Sequence, residues 1–192
     1  TEAKTDAGFD FSRSFAGVSG LLGAMDIMCG NFECTFAGAE AGYTQPRATA
    51  APVTEANPSP TRPPYQRFNA PDEFARDLAL AGFDVLSSVN NHCLDMGADG
   101  LYRTARVIRE AGIVQLGTYL DAADAASPRV VEVNGIKVGF IAATDIINSG
   151  TPGLGEEERG YAIARLSDTE KLKAMADACR GAGAEFVVAL VH

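Results

Sequence analysis

The chain predicts an α/β protein with a mixed sheet, on three observations. A helix–strand–helix–strand order runs through residues 71–116, and such an order calls for a right-handed parallel crossover. An Asn134-Gly135 pair separates two alternating apolar runs, the strongest short signal of a hairpin. Two β-branched runs, at 83–89 and 185–191, stop abruptly at polar residues, as strands do at the functional edge of a parallel sheet.

Each element has a local reason. Residues 11–23 carry Phe11, Phe15, Val18, Leu21 and Leu22 at helical spacing. Residues 24–31 read as a short buried strand ending at Asn31-Phe32-Glu33, with Asp26 inside it. The stretch 37–68 contains Pro46, Pro52, Pro58, Pro60, Pro63 and Pro64 and no periodicity, so it reads as a long loop excursion. A helix is expected over 71–81, with Asn69 as cap, Pro71, Asp72 and Glu73 in the first turn and Gly82 closing it. The strand 83–89 follows, then a helix from about 99 to 111 closed by Gly112, and a strand at 113–116. The hairpin takes residues 130–141, loop is expected over 148–160, a helix over 168–182 and a last buried strand over 185–191.

Composition limits the function. The chain has 192 residues, 46% hydrophobic and 21% charged, enough for one core. A net charge of −9 argues against a nucleic-acid partner, whose phosphates demand a basic surface. No run of about 18 apolar residues offers a membrane span. Thr1-Glu2-Ala3-Lys4 does not read as a signal peptide, which leaves export open. The four cysteines, Cys29, Cys34, Cys93 and Cys179, form no CxxC pattern and read as free thiols, with a Cys29–Cys34 link as the alternative.

Chemistry concentrates at Asn90-Asn91-His92 and at His192, the only other histidine. With Glu33 these residues fall just past strand ends. Carboxylate, amide oxygen and imidazole together suit a divalent ion such as Mn, Fe or Zn. One histidine can bind the ion while the other gives a proton to a leaving oxygen. The bland alternative is that His92 caps a turn and the two asparagines make Asx turns. Asp95 either orients His92 through a ring nitrogen or serves as a turn residue before Gly97. Asn31 can orient Glu33, and Thr144, Asp145 and Asn148 either line the same edge or form a polar loop. No Gly-x-Ser-x-Gly elbow and no phosphate-binding Gly-x-x-x-x-Gly-Lys loop occurs.

Asn31-Phe32-Glu33, Asn90-Asn91-His92-x-x-Asp95-x-Gly97-x-x-Gly100-Leu101-x-x-Thr104, Ala111-Gly112-Ile113 and Gly117 resemble the bacterial capsule-synthesis CapA family, also called PGA_cap. The segment Val131–Val138 and the strand ending in His192 are similar to it as well. The resemblance implies a layered sandwich like that of calcineurin-like metallophosphatases. It implies Glu33, Asn91 and His192 as metal ligands and His92 as the catalytic imidazole, with Asp95 beside it. It also implies a role in making or exporting poly-γ-glutamate capsule at the cell surface. Partners would be the polymer or a phosphoester, and other capsule-synthesis proteins. The family's opening Gly-Asp motif is not found before residue 11, and its closing Gly-His-x-His motif would lie beyond His192. The expectation is therefore one CapA-like domain over 1–192, incomplete, with either a metal-dependent hydrolase site or a non-catalytic, polymer-binding role.

Overall fold

A computed structural model describes residues 3–6, 8–44, 66–148, 150 and 153–192. The chain opens with a small antiparallel pair, β1 (Lys4–Thr5) and β2 (Gly8–Phe9). The helix expected over 11–23 is instead two four-residue turns, α1 (Ser12–Phe15) and α2 (Ser19–Leu22). Gly17, Gly20 and Gly23 explain the break, since glycine is costly inside a helix. The strand expected over 24–31 shrinks to the half-buried β3 (Cys29–Asn31). Asp26 lies outside it, exposed, and accepts from Asn134 Nδ2 at 2.8 Å.

Of the Pro-rich excursion, residues 45–65 lie outside the described residues. Its described flanks are tied together. Asn69 does not cap the next helix, α3 (Glu73–Leu80). Its buried amide instead accepts from Ala37 N–H at 2.7 Å and donates to Gly38 O at 2.9 Å and Gly42 O at 3.0 Å. The strand β4 (Val85–Ser87), helix α4 (Gly97–Glu110) and strand β5 (Val114–Leu116) then follow in the expected order. They form a three-stranded parallel sheet, β3-β4-β5, with Leu86 opposite Gly30 and Gln115.

A second three-stranded sheet combines both pairings. A short helix α5 (Ala122–Ala126) leads into β6 (Arg129–Val133), which pairs antiparallel with β7 (Ile136–Ala143). Asn134 and Gly135 both have positive φ, 53° and 79°, as a tight two-residue hairpin turn requires. The loop expected over 148–160 contains a helix, α6 (Glu156–Tyr161), whose three leading glutamates favour a helix N-terminus. Helix α7 (Thr169–Gly181) is capped by Asp168, whose side chain accepts from Lys171 N–H. It delivers β8 (Phe186–Val191), parallel to β7. The expectation that β8 is buried does not hold: Phe186, Val188 and Val191 are exposed, Val187 and Leu190 are half-buried, and Leu190 packs against the core.

Alternation along β4 divides the packing. Val85 joins Leu94, Leu101, Leu116 and Phe140 in a core between the sheets. Leu86 points the other way, against Phe32, Phe36, Leu78 and Ile108. Each fully buried side chain of this kind contributes about 1.5–3 kcal/mol. The segment 162–164 straps the two sheets together: Tyr119 N–H donates to Ala162 O, Ala164 N–H to Gly117 O and Thr144 N–H to Ala164 O. Gly117 is required there, because its φ is +85° and a Cβ would stand 2.1 Å from Val89 Cγ1.

Candidate functional site

The C-terminal ends of β3, β4, β7 and β8 open on one polar site. Past β3 stand Phe32 and the exposed Glu33, and past β4 the buried run Ser88–Asn90 leads into Asn91 and His92. His192 follows β8 directly, its N–H donating to Ala143 O at 3.1 Å, while Thr144 Oγ1 donates to its carbonyl at 2.8 Å.

Asn90 builds the turn. Fully buried, it donates to Asn31 Oδ1 at 3.1 Å and Phe32 O at 2.9 Å and accepts from His92 N–H at 3.0 Å. This last bond is an Asx contact, and it aims the imidazole. Asn31 therefore meets Asn90 rather than Glu33. Its neighbour Asn91 turns to the other histidine: His192 Nε2 donates to Asn91 Oδ1 at 2.8 Å.

His92 is 8% exposed and held on several sides. Its Nδ1 is 2.7 Å from Asp95 Oδ2, and the same oxygen accepts from Phe68 N–H at 2.7 Å. A carboxylate only accepts, so Nδ1 carries a hydrogen and Nε2 is the nitrogen turned to the site. Asn148 Nδ2 lies 3.3 Å from that nitrogen, and Asn148 N–H donates to Asn91 O at 2.9 Å. The Phe68 ring lies against the imidazole, with centroids 4.3 Å apart. Asp145 turns away from the site to Ser167, whose backbone N–H holds its carboxyl below the ordinary range.

Glu33, His92 and His192 converge. Glu33 Oε1 is 3.9 Å from His92 Nε2 and 3.9 Å from His192 Nε2. Two donors that each sit about 2.1 Å from one ion are roughly 3–4 Å apart. In kind and spacing the two imidazoles, the carboxylate and Asn91 Oδ1 thus suit a divalent cation. As they stand, no three His, Cys, Asp or Glu side chains among the described residues enclose one. Burial raises the thiols of Cys34, to about 12, and Cys93, to about 11, so neither supplies a thiolate at neutral pH.

The structure thus brings together Glu33, Asn91, His92, Asp95 and His192. It adds Phe68, at the end of the Pro-rich stretch where no periodicity marked it, and makes Asn69, expected as a helix cap, a clamp instead. Fold and site define an α/β protein with a histidine-centred polar site at the C-terminal edges of two sheets. Comparison with known proteins gives the family: the one described as bacterial capsule synthesis protein PGA_cap matches residues 1–192, and the chain belongs to it. The chain is similar to the capsule biosynthesis protein CapA of Bacillus anthracis, 30% identical over 89 residues, which is 46% of this chain and 22% of that protein. It is also similar to the uncharacterized proteins y4sH and y4uA of Sinorhizobium fredii, each 34% identical over 80 residues, 42% of this chain and 17% of theirs. The chain therefore matches only a minor part of the length of these relatives. Among the described residues no helix is long and apolar enough to cross a membrane.

Proposed function

We propose that this member of the capsule-synthesis family carries a metal-dependent hydrolase site acting on a phosphoester or related bond. It would serve poly-γ-glutamate capsule formation at the cell surface, alongside other capsule-synthesis proteins. The observation that carries the reading is Glu33 Oε1 standing 3.9 Å from both His92 Nε2 and His192 Nε2, at the joint edge of two sheets.

Glu33, Asn91 and His192 would hold the ion, His192 through Nε2 in the tautomer that carries its hydrogen on Nδ1. A divalent ion of the Mn, Fe or Zn type supplies Lewis acidity and a more acidic water. His92 supplies the proton. In its protonated form Nε2–H points toward Glu33 and Asn148, where a leaving oxygen would sit, and it donates to that oxygen as the bond breaks. Asp95, at 2.7 Å from Nδ1, balances the imidazolium charge and retains the Nδ1–H tautomer once the proton has left. Phe68 closes one face of the ring and limits its rotation.

A second reading, a non-catalytic polymer-binding or accessory module, is favoured by one observation: the described acidic and imidazole side chains do not enclose an ion as they stand. One experiment separates the two. In the full-length protein supplied with Mn or Zn, hydrolysis of a model phosphoester should fall about 10²–10⁴-fold in His92→Ala with folding preserved. Equal turnover in the variant refutes the role of His92. No turnover together with no stoichiometric metal in the full-length protein favours the accessory reading.

A further inference from the structure

Helices α5, α6 and α7 surround a hollow of about 280 Å³. That is just below the usual range of small-molecule sites, so it suits a guest of a few carbon atoms. The hollow exists because short side chains meet there. Ala122 and Ala125 from α5 and Ala174 from α7 are too small to fill the gap between three helices. The Tyr161 ring and Met175 extend the apolar lining. Ala125, Tyr161 and Met175 also pack into the small core around Tyr119 and Ala143, which anchors the floor.

Lys171 brings an ammonium into this lining. It stands in the first turn of α7, the positive end of the helix dipole, where a cation is disfavoured. Burial lowers its pKa, and the charge of Asp168 opposes this only in part. Its Nζ is fixed by donating to Gly160 O at 2.9 Å, in the last turn of α6. An ammonium has three donors, so two remain beyond that bond. Carboxylates nearby are engaged: Asp168 Oδ1 accepts from Lys171 N–H at 3.1 Å, Asp121 Oδ1 accepts from Asp124 N–H at 2.7 Å, and Asp124 pairs with Arg109 and Arg129. A cation that both the helix and its burial disfavour, set beside hydrocarbon, gains most from a single negative charge on a short apolar chain. A dianion such as phosphate would lose more hydration than one ammonium returns.

We propose that this hollow binds a small monocarboxylate, its carboxylate on the Lys171 ammonium and its hydrocarbon among Ala122, Ala125, Ala174 and Met175. The inference goes beyond the hydrolase reading and does not depend on it, since binding is read without metal or turnover.

The test titrates the metal-free full-length protein with butanoate, and with 1-butanol and butylammonium as neutral and cationic counterparts, followed by NMR. Butanoate should saturate at millimolar concentration, bind about tenfold more tightly than butanol, and shift the methyl signals of Ala125, Ala174 and Met175. Butylammonium should show no measurable binding. Lys171→Met keeps the stem and removes the charge, so it should weaken butanoate about tenfold and leave butanol unchanged. Ala174→Leu, at an exposed helical position, fills the hollow and should weaken butanoate at least about tenfold with folding preserved. His92→Ala should leave binding unchanged, which separates this site from the hydrolase reading. No saturable binding of butanoate, equal affinity for butanoate and butanol, shifts confined to other residues, or an unaltered affinity in Lys171→Met or Ala174→Leu overturns the proposal.

Discussion

Replacing Asn69 by Ala should loosen the tie between the two described flanks of the Pro-rich stretch. Asn69 is 1% exposed, and its side chain makes three bonds to backbone: from Ala37 N–H, and to Gly38 O and Gly42 O. Each such bond contributes about 1 kcal/mol net, and a buried group left unpaired costs about 1–3 kcal/mol. Water entering the space left by the amide recovers part of this, so the expected loss is about 2–4 kcal/mol. Asn69→Asp is the informative companion. Its carboxylate keeps an acceptor for Ala37 but faces two carbonyl oxygens, so at neutral pH it should be no more stable than the alanine variant. Urea denaturation followed by circular dichroism reads both, as a lower midpoint at unchanged slope. A loss below about 1 kcal/mol in Asn69→Ala would refute the clamp, as that is what one ordinary bond contributes.

Two further outcomes follow from charge and from space. Burial opposes the Asp124 carboxylate, but bonds from Arg109, Leu120 N–H and Arg129 outweigh it and hold the group below its ordinary range. Its contribution is therefore full above the unfolded-state value near 4 and is lost as pH falls through the lower folded-state value. Urea midpoints measured between about pH 2 and 6 should show a steep acid limb in the parent and a flatter one in Asp124→Asn. Gly117→Ala should cost about 2–4 kcal/mol, because it combines a positive φ with a Cβ driven into Val89. The thermal midpoint of the variant reads this loss.

The sequence made the parallel unit and the hairpin legible because each carries a local signal. Gly82, Gly112 and Asn134-Gly135 all adopt the positive φ that their positions suggested. The convergence of Glu33, His92 and His192 was legible only as a set of residues past strand ends; their separation is a property of how two sheets meet. What failed was non-local. Asn69 looked like a cap because it precedes Pro71, yet its bonds go to residues about 30 positions earlier in the chain. The apolar run of β8 resembles a buried strand, and its pattern does not reveal that Phe186, Val188 and Val191 are exposed. Phe68 sits in a stretch without periodicity, and only the fold lays it on His92. Helix α6 was hidden by the glycines and proline before it, although Glu156, Glu157 and Glu158 were a readable start signal.

The claim at the centre is that Glu33, Asn91 and His192 form one cation site beside His92. Titration of the metal-free full-length protein with Mn or Zn, by calorimetry, tests it most directly. The account predicts binding near neutral pH that weakens at least about tenfold in Glu33→Ala and again in His192→Ala. Binding unchanged in both variants, or no binding by the parent protein, would contradict it.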